Sequence, residues 1–318
     1  MKALAAYVMR GRLQAMLSAS ALLLLALLLM PLSWPLSFYS GGIVALVTLA
    51  QGNREGLLTL LGAGLLVSLL GIFSPGSPFA VLMFAALVWL PVWLLAVLLR
   101  QTVSLNLTML AGSALGMLAI GGFFLMTGDP AEWWFQHFIN DVLPVLEKAG
   151  MVFEDRPRLE TELQQASRLM TGSLIALLLL GALVGLFIAR RWQAGLYNPG
   201  GFRKEFYSLR FGVTAALVAL LLLLVSLASP AFMNEGRGSD LLLNLLQPVV
   251  IIFLFQGLAI GHVLIKVRSL SSAWLAGLYI LLLFGLPYSP VLLALLGIAD
   301  NWLDLRSKFG YRKVDGQD

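Results

Sequence analysis

The chain contains no cysteine and very little charge. The first absence excludes disulfides, thiol catalysis and thiolate metal sites. The second decides the class. Acidic and basic residues make up 12% of the 318 positions, against about 25% in an ordinary soluble domain. A water-soluble fold of this size needs a charged shell that the sequence does not supply. Histidine is scarce as well: His137 and His262 are the only two, with no ligand cluster around either, so neither a metal nor any other cofactor is expected. HExxH, a Walker loop and GxSxG are all missing. Ser37, Ser40 and Ser289 have no identifiable base. The chain is therefore not expected to be an enzyme, with a lipid-acting membrane transferase as the third-ranked alternative. Any driven transport would draw on a partner ATPase or an ion gradient.

What the sequence does have is apolar length. Hydrophobic residues are 59% of the chain and the mean hydropathy is +0.90. They fall in runs of roughly 16–26 residues, long enough to cross a bilayer core as helices. The expectation is an all-α polytopic membrane protein, one integral domain over 1–318. About ten transmembrane helices are placed near 14–31, 35–51, 55–73, 78–99, 104–126, 171–189, 211–229, 241–265, 271–286 and 289–304. The N-terminal apolar run reads as a retained span, because Pro31 to Pro35 makes a poor signal-peptide cleavage site. With the N-terminus inside, sixteen of the 21 lysines and arginines fall in inner segments. That split predicts both termini in the cytoplasm, and it explains the net charge of +5 without nucleic acid. Merging 271–304 into one kinked helix would put Arg306, Lys308, Arg312 and Lys313 outside, against the same rule.

Two loops stand out. The outer loop 127–170 carries eight acids and four bases. Asp129 as cap, Pro130 in the first turn and Glu132 near the positive end predict a helix there. Trp133, Trp134 and Phe135 suit a membrane interface, so this amphipathic helix is expected to lie on the outer surface. The inner loop 190–210 is basic and aromatic, with a turn at Asn198-Pro199-Gly200-Gly201. It reads either as a docking surface for anionic membrane lipid or a cytoplasmic partner, or as an ordinary positive-inside loop.

Small residues four apart (Ala15/Ala19, Gly112/Gly116, Gly181/Gly185, Gly257/Gly261) allow close helix approach in lipid. The eighth segment is the most polar. Asn244 and Gln247 share a face, Pro248 frees a carbonyl one turn earlier, Gln256 lies mid-membrane and His262 lies near the inner end. These four are the candidate substrate-binding residues, for an unknown small molecule; interhelical hydrogen bonding explains them equally well. At the end of the last segment, Asp300 and Asp304 fall on one helix face beside Asn301. Asp304 is expected to pair with Lys308, and Asp300 with an inner-loop base, Arg54 or Arg268. Together with Arg306 they form a structural or gating polar cluster.

The ending "LLGIADNWLDLRSKFG" resembles the C-terminal signature of the YybS-like family of bacterial inner-membrane proteins, and "SFYSGGIVALVTLAQGNREG" and "LFQGLAIGHVLIK" are similar to its pattern. That family resembles, at a distance, the substrate-binding S components of energy-coupling-factor transporters. The resemblance implies a small-molecule ligand and a transmembrane coupling subunit docked on small residues of the first helix, here Ala15 and Ala19. The leading expectation is a transporter-like binding protein energised by a partner. The alternative is a non-transporting scaffold or regulator of cell-envelope assembly.

Overall fold

A computed structural model describes residues 2–29, 34–70, 77–232, 236–286 and 288–310, and every regular element in them is helical. Pro31, Pro287, Arg312 and Lys313 lie outside the described residues. A short α1 (Lys2–Val8) leads into α2 (Arg12–Leu28), α3 (Trp34–Gln51), α4 (Asn53–Leu70), α5 (Pro78–Thr102) and α6 (Leu105–Thr127). Next come α7 (Pro130–His137), a π-helical turn (Phe138–Val142) and α8 (Leu143–Lys148). The rest is α9 (Arg156–Tyr197), α10 (Gly201–Tyr207), α11 (Gly212–Phe232), α12 (Arg237–Val267), α13 (Ala273–Phe284), α14 (Tyr288–Leu303) and α15 (Leu305–Lys308).

A helix lies over each of the ten apolar segments, but ten crossings are more than helix length and composition support. Among the described residues α4, α5, α6, α9 and α12 are long and apolar enough to span. Two bent pairs, α10 with α11 and α13 with α14, raise the number to seven if each counts once. Length is the reason. The 12 residues of α13 and 16 of α14 rise about 18 and 24 Å against a core of ~30 Å. The bend of 120° between those two helices excludes one gently kinked span.

The chain divides into two compact units, the boundary falling within α6 and α9. The first takes in residues 1–112 and 178–210 among those described. At its centre is α3, whose residues from Ser40 to Leu49 are all buried, as befits a helix apolar on every side. It packs against α2, α4 and α5. It also crosses α9 at glycines: a Cβ on Gly42 would sit 3.2 Å from the Gly185 carbonyl oxygen, and one on Gly181 3.2 Å from the Phe38 ring. Polar side chains tie the layers together. Ser40 donates to the Ala19 carbonyl at 2.7 Å and accepts from Trp89 Nε1 at 2.8 Å. One end of this unit collects the helix termini that the charge pattern assigns to one side. There Arg12 grips Glu55 with two bonds of 2.6 Å, and Arg100 caps the α3 carbonyl of Leu49 at 2.7 Å.

The second unit takes in residues 113–177 and 211–310. Its central helix is α12, buried continuously from Ile252 to Ile260. It meets α14 through two glycines. A Cβ on Gly257 would lie 2.0 Å from the Leu293 carbonyl oxygen, and one on Gly297 2.3 Å from that of Phe253. Only hydrogen fits between these backbones. α13 buries none of its residues.

Candidate functional site

The polar residues of α12 and α14 do not converge on one cavity. They form two separate, internally bonded clusters. The deeper one centres on Asp300, which is 0% exposed. α14 ends at Leu303, and Asp304 takes a left-handed conformation (φ 43°), which aspartate tolerates better than most residues. The chain folds back, and Arg306, itself buried, sets Nη2 3.3 Å from Asp300 Oδ2. The freed amide of Leu305 donates to Asp300 Oδ1 at 3.0 Å, and Gln256 Nε2 lies 3.4 Å from Oδ2. The start of α11 is held in the same way. Gln256 Oε1 accepts from Phe211 N at 3.3 Å and Asn301 Oδ1 from Gly212 N at 2.9 Å. These side chains satisfy main-chain donors that two helix breaks expose.

This corrects the expected pairing. Asp300 is bonded to Arg306 and not to Arg54 or Arg268, which are exposed at their helix ends. Asp304 does not extend the acidic face of α14; it is the residue at which the helix turns.

The second cluster is a seam between α9 and α12. Asn244 is fully buried and donates to the carbonyls of Arg168 (2.7 Å) and Asp240 (2.6 Å) while accepting from Gly172 N. Gln247 donates to Leu169 O at 3.2 Å and accepts from Ser173 Oγ at 3.0 Å. The helices come close because residue 172 is glycine: a Cβ there would be 2.7 Å from the Asn244 carbonyl, the one Pro248 deprives of its helical donor. His262 lies apart from both clusters. Its Nδ1 meets the Leu258 carbonyl at 2.9 Å and Nε2 lies 3.5 Å from Tyr279 Oη. The four proposed substrate residues therefore sit in three places. The small-residue face of α2 is also not open to a partner: Ala15 and Ala19 are 1% and 0% exposed, and α3 and α4 cover them.

An open polar site occurs instead around α7. Asp129 caps this helix as expected, Oδ1 accepting from Ala131 N (3.0 Å) and Glu132 N (3.2 Å). Trp134 Nε1 donates to Thr171 Oγ1 at 3.0 Å and pins α7 to α9. On the outward side, a ladder runs from Glu132 through Gln136 to Asn140 with bonds of 2.7 and 3.2 Å. His137 stacks on Trp133 at 5.4 Å, and its Nδ1 is 2.6 Å from Asp141 Oδ2. These side chains line a cleft of about 570 Å³. A second cleft, of about 350 Å³, shares Asp129 and Glu132 and adds Gln164, Gln165, Arg168 and Asp240. Arg168 is bound to Asp240 at 2.8 Å, so the acids prevail across both clefts. The sequence had shown Asp129 and Glu132 only as helix-starting residues. The π-helical turn that follows, a feature that marks many functional sites, has no simple sequence signature.

A family model described as predicted membrane protein (DUF2232) matches residues 18–301. No curated protein and no solved structure matches.

Proposed function

Since the chain belongs to the DUF2232 family of predicted membrane proteins, we propose that it is a transporter-like, small-molecule-binding protein of the bacterial inner membrane, not an enzyme, that receives its ligand in the acidic clefts around α7. The observation that carries this reading is the pair of polar clefts that share Asp129 and Glu132. Arg168 and Asp240 line the smaller cleft, and Asn244 and Gln247 follow along α12. Carboxylates outnumber cations in the two clefts, and Trp133 is 43% exposed. Carboxylate and indole together select a small amine-bearing cation.

The excess of bases in the other loops supports a topology with both termini and 190–210 cytoplasmic and α7 outside. Transport would be energised by a partner membrane protein, consistent with the S-component likeness. Such a subunit would dock on a surface other than that of Ala15 and Ala19, whose face is covered.

The test is ligand-dependent stabilisation of the full-length protein in lipid nanodiscs, with putrescine, choline and arginine as probes and uncharged analogues as controls. Binding to the folded state raises the melting temperature by mass action. At least one amine is expected to do so, and Glu132→Gln combined with Trp133→Ala should remove the effect. Absence of any amine response, or a response unchanged in that variant, would sink the proposal. The scaffold reading draws on α13, where Trp274, Leu283 and Phe284 are 63%, 67% and 85% exposed. A stoichiometric membrane partner in a protein that binds no amine would favour it.

A further inference from the structure

At the opposite end of α9 lies a small basic cavity that the ligand reading does not use. It measures about 250 Å³ and opens between α1, the last turns of α9 and the turn into α10. Lys2, Arg191 and Arg203 supply its cations, and Trp192, Pro199 and Phe202 its apolar walls. Of the other bases in 190–210, Arg190 is neutralised. Glu205 is the only acid in 190–210, and Arg190 holds it, Nε to Oε2 at 3.1 Å. Among the described residues no carboxylate forms an ion pair with Lys2, Arg191 or Arg203. Three unneutralised cations lining one cavity attract an anion. Trp192 is 5% exposed, and its buried Nε1–H has no acceptor among the described residues.

The position of the cavity selects the anion. The apolar stretch of α9 runs to Ala189, and Arg190 and Arg191 follow at once. The cavity therefore sits at the depth where a membrane helix leaves hydrocarbon for the headgroup layer, with a Trp and a Phe in its wall, as such boundaries favour. Guanidinium groups match phosphate oxygens in geometry as well as charge. We propose that this cavity is a binding site for the phosphate headgroup of an anionic phospholipid. It orders α1 against the α9–α10 turn when filled. A polybasic segment is drawn to an anionic leaflet by the surface field alone; the cavity adds a fixed geometry to that attraction.

Native mass spectrometry of the delipidated full-length protein tests the proposal, with dioleoylphosphatidylglycerol, dioleoylphosphatidylcholine and inorganic phosphate as probes. Phosphatidylglycerol adducts are expected to survive at collision energies that strip phosphatidylcholine, and to bind at least tenfold more tightly. Arg191→Gln combined with Arg203→Gln should abolish that preference, whereas Lys204→Gln, outside the cavity, should retain it. Equal retention of the two lipids on the unaltered protein overturns the proposal without recourse to any variant. So does a preference that persists in the double variant. Inorganic phosphate that binds as tightly as the lipid would mean a soluble anion is the occupant, which also overturns it.

Discussion

Asp300→Asn keeps the size of the side chain and one carbonyl acceptor, so the bond from Leu305 N at 3.0 Å can persist. What it removes is the charge facing Arg306. Asp300 is 0% and Arg306 6% exposed, so the stranded guanidinium has little water to turn to. Removing one partner of such a pair destabilises by roughly 3–5 kcal/mol. Arg306→Met should act in the same direction, because it leaves the Asp300 carboxylate buried without its counter-charge. With both substitutions neither charge remains, and the loss should fall below the sum of the single changes by about 2–4 kcal/mol. Equilibrium unfolding of the full-length protein in mixed micelles, titrated with dodecyl sulfate, measures all three. Asp304→Asn is the control: asparagine tolerates the left-handed conformation, and the change should stay below about 1 kcal/mol. Additive single effects, or an Asp300→Asn variant as stable as Asp304→Asn, would refute a coupled buried pair.

Three further outcomes are expected. Gly257→Ala and Gly297→Ala place a methyl 2.0 and 2.3 Å from carbonyl oxygens of the facing helix, so each should destabilise at or above the upper end of the roughly 1–3 kcal/mol seen for overpacking. Gly277→Ala, with nothing within 4 Å, should be neutral or slightly stabilising in the same unfolding assay. Asn244→Leu strands buried main-chain partners and should lose about 1–3 kcal/mol, whereas the half-buried Gln247→Leu should lose about 0.6 kcal/mol, the average for an interhelical bond in lipid; equal effects would mean burial does not set the difference. Because the chain has no cysteine, Met151→Cys and Pro199→Cys can be labelled without background, and an impermeant maleimide should reach them from opposite faces of the membrane; labelling from one face rejects the topology.

The helices were legible because their signals are local. Apolar runs, the Asp129–Pro130 start and the turn at Gly200, whose φ is 91°, need only neighbouring residues. Chain reversals were less legible. Helical periodicity carries Asp304 onto the face of Asp300 and points Arg306 away. A single left-handed residue, not a glycine, cancels that arithmetic and makes Arg306 the partner. The glycines show the same limit. Spacing found Gly257 but not Gly297, which matters only because α14 crosses at that point. Ala15 and Ala19 match a docking pattern in sequence, yet the same pattern serves a covered intramolecular contact. Nothing in a linear sequence distinguishes the two uses. The smaller cleft beside α7 was missed because residues from α7, α9 and α12 build it together.

α12 is synthesised before the helix that covers it. Its glycine notch and the Gln256 amide wait for α14, and the Asp300 pair waits for Arg306. The first unit needs nothing described beyond Arg210 and can close while translation continues. The second cannot close until almost the last described residue has left the ribosome. A nascent chain that ends before Tyr288 would leave the Gly257 notch and the Gln256 amide without the helix that covers them.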